Sequence, residues 1–157
     1  MTVQQHGFAD ASTGAVTQLP RWVPVPLGDT AVAAYTTASQ RALEAFAQAG
    51  VADHKFSLPE IRDGGAFPAE LAVGFHLVDN AVHTWDVAAT LGVTVDLAPD
   101  VVAATLRLVE GIPDGDERLA PGAAFAPGLE VPADATPQDR ILLLLGRSPG
   151  WTPPVGG

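Results

Sequence analysis

The stretch GFHLVDNAVHTWDVA, residues 74 to 88, sets two histidines and two aspartates inside an otherwise apolar run. On a helix turning about 100° per residue, His76, Asp79 and His83 stand at i, i+3 and i+7 and share one face. Asp79 and His83 are four apart, near enough for a carboxylate oxygen and an imidazole nitrogen to hold one divalent ion. That donor set suits zinc, and nickel or iron are also chemically acceptable. His76, on the same face, is a candidate third ligand. Asp86, about one turn beyond His83, is placed to accept the other ring N–H, the supporting role carboxylates take behind metal-bound histidines. The competing reading is an ordinary surface hydrogen bond between an aspartate and a histidine four residues apart. Context favours the site. Phe75, Leu77, Val78, Val82, Trp85 and Val87 make the segment apolar nearly all round, as in a central helix, where polar groups need partners.

The elements that must position these residues are mostly helical. Residues 1 to 11 read as a helix, and Ser12 to Pro26, with STG, LPRW and PVP, as a loop. Ala31 to Ala49 reads as a long Ala-rich helix ending at Gly50, its apolar side marked by Val32, Tyr35, Leu43 and Phe46. HKFSLPEI, from His54 to Ile61, alternates Phe56 and Leu58 before RDGG, a strand-and-turn signal that Pro59 confines to an edge or an irregular extension. Pro68 suits the first turn of a helix from Ala69 to about Leu91, stopped by Gly92. A further helix runs from Pro99 to Glu110. Gly111 to Thr136, rich in Pro and Gly, is expected to be ordered loop, and Pro137 to Leu145 a short buried helix ended by Gly146. Four or five helices with one minor extended piece make an all-α bundle.

Bulk composition narrows the function classes. At 157 residues the chain is expected to form a single domain, residues 1 to 157, able to bury a core without staples. Eighteen acids against eight bases leave a net charge of −10, which repels phosphate backbones, so nucleic acid is not an expected partner. With no cysteine there is no disulfide, thiolate ligand or cysteine nucleophile. No run reaches the roughly 18 apolar residues of a membrane span, and the first residues lack the basic region of a signal peptide, so a cytoplasmic protein with no membrane partner is expected. Lys55 is the single lysine, while Ala, Gly, Val and Pro abound, the bias of a GC-rich bacterial genome.

DNAVHTWDVA resembles the second metal-ligand motif of the DinB-like superfamily, in the branch of the mycothiol-dependent maleylpyruvate isomerase metal-binding domain. The block LPEIRDGGAFPAELAVGFHLVDNAVHTWDVA and the ending TPQDRILLLLGRSPGW are similar to the same branch, whose domains close with an Arg-X-Pro-X-Trp tail, so the likeness runs over most of the chain. The resemblance implies a four-helix bundle with a small extended or hairpin insert, a divalent metal at one end, and action on a small-molecule thiol such as mycothiol. It also implies a departure. The family's first metal histidine lies on its second helix, seven residues before a pair such as Gly7-Phe8, and that position falls just before Met1. The first helix and first ligand of the family are therefore expected to be missing here. His6 would sit on another face of its helix and is no substitute, which leaves His76 as the nearer replacement.

Other candidates carry less chemistry. Arg140, in QDRILLLL, is expected to pair with Asp86 on the central helix and so to support cofactor binding with it. His6 and His54 read as partly exposed polar residues, Glu60, Arg62 and Asp63 as turn residues, and Trp22, Trp85 and Trp151 as core or lid packing. Gly64-Gly65 has no phosphate-loop context, and no GxSxG, P-loop or dinucleotide fingerprint is present. Two functions remain. One is a divalent-metal thiol transferase or isomerase. The other is a non-catalytic member of the same bundle family that acts as a homodimeric binding protein.

Overall fold

The structure, a computed structural model, describes residues 1–15, 18–26, 28–48, 50–61 and 65–154. The expected helix end at Ala49 and the turn residues Arg62, Asp63 and Gly64 lie outside them. The chain gathers into two compact units, Met1–His76 and Leu77–Gly157. It is mostly helical, with two short strands among the described residues, which is the all-α class expected. No helix of the described residues is long and apolar enough to cross a membrane.

The first unit pairs helix α1, Thr2–Ala11, with helix α2, Ala31–Phe46, and adds a hairpin of β1, Lys55–Ser57, and β2, Ala66–Pro68. The strands are antiparallel with Phe56 opposite Phe67, and the period-two alternation turns both phenylalanines inward. Pro68 closes β2 rather than opening the helix that follows. The core gathers Phe8, Trp22, Phe56, Leu58, Phe67 and Ala72. Gly7 is what lets Trp22 approach α1, because a Cβ there would lie 2.6 Å from the indole ring. Only part of the side that the large residues of α2 mark is buried, Phe46 packing on this core and Tyr35 lying half-buried. Ala38 and Ala42 are fully buried, whereas Val32 is 82% and Leu43 63% exposed. At 100° per residue, Val32 and Leu43 lie about 100° around the helix from the alanines, at the rim of the contact. Small residues let two helix backbones close together, and Val32 and Leu43 are left outside.

Helix α3, Ala69–Thr90, runs from the first unit into the second, where α4, Pro99–Val109, and α5, Pro137–Leu144, complete the fold. The second core is Val78, Val82, Val102, Val109, Ile141 and Leu145. Helix α5 is delimited at both ends by local chemistry. The Thr136 hydroxyl accepts from the Asp139 N–H and donates to the Asp139 carboxylate, with Pro137 in the first turn. At its far end, Gly146 N–H donates to Leu143 O and Arg147 N–H to Leu142 O, a Schellman turn that needs Gly146 at φ 75°. The Pro/Gly-rich segment before α5 is tied to the end of that helix by a buried cation. Arg118, 7% exposed, donates to the carbonyls of Pro113, Ala126 and Leu144.

Candidate functional site

Within the second unit, the helical repeat of α3 sets Asp79, His83 and Asp86 in a row. His83 Nδ1–H donates to Asp86 Oδ2 at 2.8 Å, and His83 Nε2 lies 3.3 Å from Asp79 Oδ1. The imidazole thus has a carboxylate on each nitrogen, and its side chain is 41% exposed. Asp86 is held in turn by Arg147, whose Nε donates to Oδ1 at 2.9 Å and whose Nη2 donates to Oδ2 at 3.0 Å. This is the two-point fork of a guanidinium on a carboxylate. The other carboxylate oxygen of Asp79, Oδ2, is buried and has no hydrogen-bond partner among the described residues.

These contacts bias the charges in opposite directions. The Asp79 hydrogen bond raises the His83 pKa above its ordinary 6.5 despite burial, and Asp86 adds to the rise. Burial pushes Asp86 upward, but Arg147 and His83 together hold its carboxyl below the ordinary 3.8. Both carboxylates favour the protonated imidazole, so a cation arriving at Nε2 competes with that proton.

The sequence expectations divide here. Asp79, His83 and Asp86 come together as their spacing predicts. His76 does not join them. It belongs to the first unit, where its Nε2–H donates to the buried Gln5 side chain at 2.8 Å and its ring lies edge-on to Phe8 and Phe46. Those contacts fix the ring as part of an aromatic core. Arg140 does not reach Asp86 either; its Nε donates to Glu110 at 3.1 Å, an exposed pair. The Asp86 partner is Arg147 instead. His54 is exposed, with Nδ1–H donating to Ser12 O. Trp22 is core, whereas Trp85 and Trp151 line a pocket of about 340 Å³ that opens on Asp86 and Arg147. Among the described residues no group of three His, Cys, Asp or Glu is assembled that could hold a metal ion.

No protein-family model matches the chain, and no solved structure matches it. Over 140 residues, covering 86% of this chain and 74% of the relative, it is 31% identical to the uncharacterized protein Rv0738 of Mycobacterium tuberculosis strain ATCC 25618 / H37Rv. It is equally similar to the uncharacterized protein MT0763 of Mycobacterium tuberculosis strain CDC 1551 / Oshkosh. The chain belongs to the family of these mycobacterial proteins. In this member the Asp86 partner lies 61 residues away along the chain. Only the order Gly146-Arg147 after a buried helix hinted at it, since a Schellman turn fixes where the residue after its glycine begins.

Proposed function

We propose that this chain is a DinB-like helical domain that binds a divalent metal through Asp79 and His83 and acts on a small-molecule thiol such as mycothiol, as a transferase or isomerase. The observation that carries the reading is the 3.3 Å between His83 Nε2 and Asp79 Oδ1. Two donors on one tetrahedral zinc, each about 2.0–2.1 Å from it, stand roughly 3.3 Å apart. The donors also fit in kind, and the buried, unbonded Asp79 Oδ2 offers a further lone pair. Asp86 on Nδ1 leaves Nε2 as the nitrogen that faces a metal. Asp79 and His83 would be the side chains that hold the ion. A divalent ion held there lowers the pKa of a coordinated thiol and so supplies a thiolate at neutral pH. The pocket between Trp85 and Trp151 offers apolar walls for the rest of such a molecule.

A second reading, a non-catalytic domain that works as a dimer, is favoured by the two-residue donor set and by the exposed Val32 and Leu43 on α2. Titration of the metal-free protein with Zn²⁺, Ni²⁺ or Fe²⁺ separates the two. One equivalent bound, lost in His83→Ala and in Asp79→Ala, is expected from the metal reading. Absence of stoichiometric binding, or binding that survives His83→Ala, sinks it. A dimer in light scattering that Leu43→Gln dissociates is the mark of the second.

A further inference from the structure

We propose that Arg147 is the positioning residue of this site: the turn that ends α5 delivers its guanidinium to Asp86, and Asp86 in turn locks the His83 ring with Nε2 toward Asp79. Gly146 at φ 75° and the Arg147 N–H to Leu142 O bond close the Schellman turn, so the start of the Arg147 side chain is fixed. The residue at this place in such a turn commonly packs an apolar side chain back on its own helix. Here it is an arginine, and it reaches out instead. Its Nη1 donates to Leu145 O at 3.1 Å, and its charge stands over the Phe125 ring at 6.0 Å. Its remaining donors form the fork on Asp86. Asp86 Oδ2 accepts from Arg147 and from His83 together, so the arginine sets the plane of the carboxylate that sets the plane of the imidazole. A carboxylate on a mobile side chain could meet the His83 N–H in many orientations. One pinned at both oxygens by a rigid fork meets it in one.

The inference deepens the metal-binding reading and rests on it for one arm of its test. Arg147 is itself a cation, so if it acted only through charge, removing it would strengthen divalent-metal binding. Positioning predicts the opposite sign. Zn²⁺ affinity, measured by competition with a chromophoric chelator, is expected to fall about tenfold or more in Arg147→Gln, the usual effect of losing an outer partner of a metal-bound histidine. Arg147→Lys keeps the charge and loses the fork, and its affinity is also expected to fall. Affinity equal to or above wild type in both variants, with far-UV circular dichroism unchanged, overturns the proposal. The second arm needs no metal. In the metal-free protein the His83 Nδ1–H, held against Asp86, is expected to give a slowly exchanging downfield imidazole proton resonance, assigned by its loss in His83→Gln. It should vanish in Arg147→Gln and weaken in Arg147→Lys; a resonance untouched in both overturns the positioning role. If the wild type binds no Zn²⁺, the metal-binding reading fails while this resonance still decides the role of Arg147. If Arg147→Gln does not fold, Arg147→Lys carries both arms.

Discussion

Gly146→Ala is the substitution whose cost the structure resolves into parts. Gly146 and Gly92 end α5 and α3 in the same way, at φ 75° and 69°, each with the hydrogen bonds of a Schellman turn. An alanine at either place takes a left-handed backbone, which costs about 1–2 kcal/mol. Loss of unfolded-state freedom offsets about 0.4–1 kcal/mol of that. Their surroundings differ. A Cβ at Gly92 meets nothing within 4 Å, whereas at Gly146 it would lie 2.7 Å from Ala126 Cβ and 2.8 Å from the carbonyl oxygens of Ala126 and Pro127. Those atoms cannot rotate away, so the segment before α5 must shift, at about 1–3 kcal/mol. Gly92→Ala is thus expected to destabilise by about 1 kcal/mol and Gly146→Ala by about 2–4 kcal/mol. In urea unfolding followed by circular dichroism, the two variants should differ in midpoint by about 1 M for a slope near 2 kcal/mol/M. Equal losses in the two variants would refute the reasoning, because the conformational term alone would then account for both.

Stability should also depend on pH through the carboxylate–imidazole group. The folded pKa of His83 is raised, so its contribution is fully present below about pH 6.5 and is lost as pH rises through the higher folded value. The folded pKa of Asp86 is lowered, so its contribution is present above about 3.8 and is lost as pH falls through the lower folded value. The stability difference between wild type and His83→Ala, taken from urea midpoints in metal-free buffer, should therefore be largest between those values and shrink as pH rises through the raised folded value; a difference flat with pH contradicts the ion-pair arrangement. Arg118→Met should destabilise by about 3 kcal/mol, since the carbonyls of Pro113, Ala126 and Leu144 lose a buried charged donor. A loss within 0.5 kcal/mol, about what an ordinary surface substitution costs, would show that the segment orders itself without the arginine.

Local chemistry was legible in the sequence wherever it acts over a turn or two. The glycines after α3 and α5, the Thr136-Pro137 start of α5, and the i, i+4 and i+3 spacings that join His83 to Asp79 and Asp86 all follow from the 3.6-residue repeat and from capping. Pattern misled where packing chose between faces. Val32, Tyr35, Leu43 and Phe46 mark one side of α2, and Phe46 does pack on the core, yet Val32 and Leu43 stay exposed and the helix buries Ala38 and Ala42 most fully, because the closest approach of two backbones favours the smallest side chains and hydropathy alone does not weigh that.

His76 shows the same limit at the site. Its spacing places it with Asp79 and His83 on one face, but a helix face is only an angle, and 22 residues of α3 run past different neighbours. At His76 the neighbours are Gln5, Phe8 and Phe46, which make the ring a packed hydrogen-bond donor. The choice between Arg140 and Arg147 for Asp86 was likewise beyond any local rule. Both lie on or just after α5; one reaches Glu110, and the other is turned onto Asp86 by the left-handed glycine before it. The sequence by itself determined the helical class, the glycine-marked ends of α3 and α5 and the aspartate–histidine–aspartate row, because each depends on residues within a turn or two of one another. Tertiary structure decided which arginine completes the row and which histidine stays out of it, because those outcomes depend on where the backbone brings residues that are tens of positions apart.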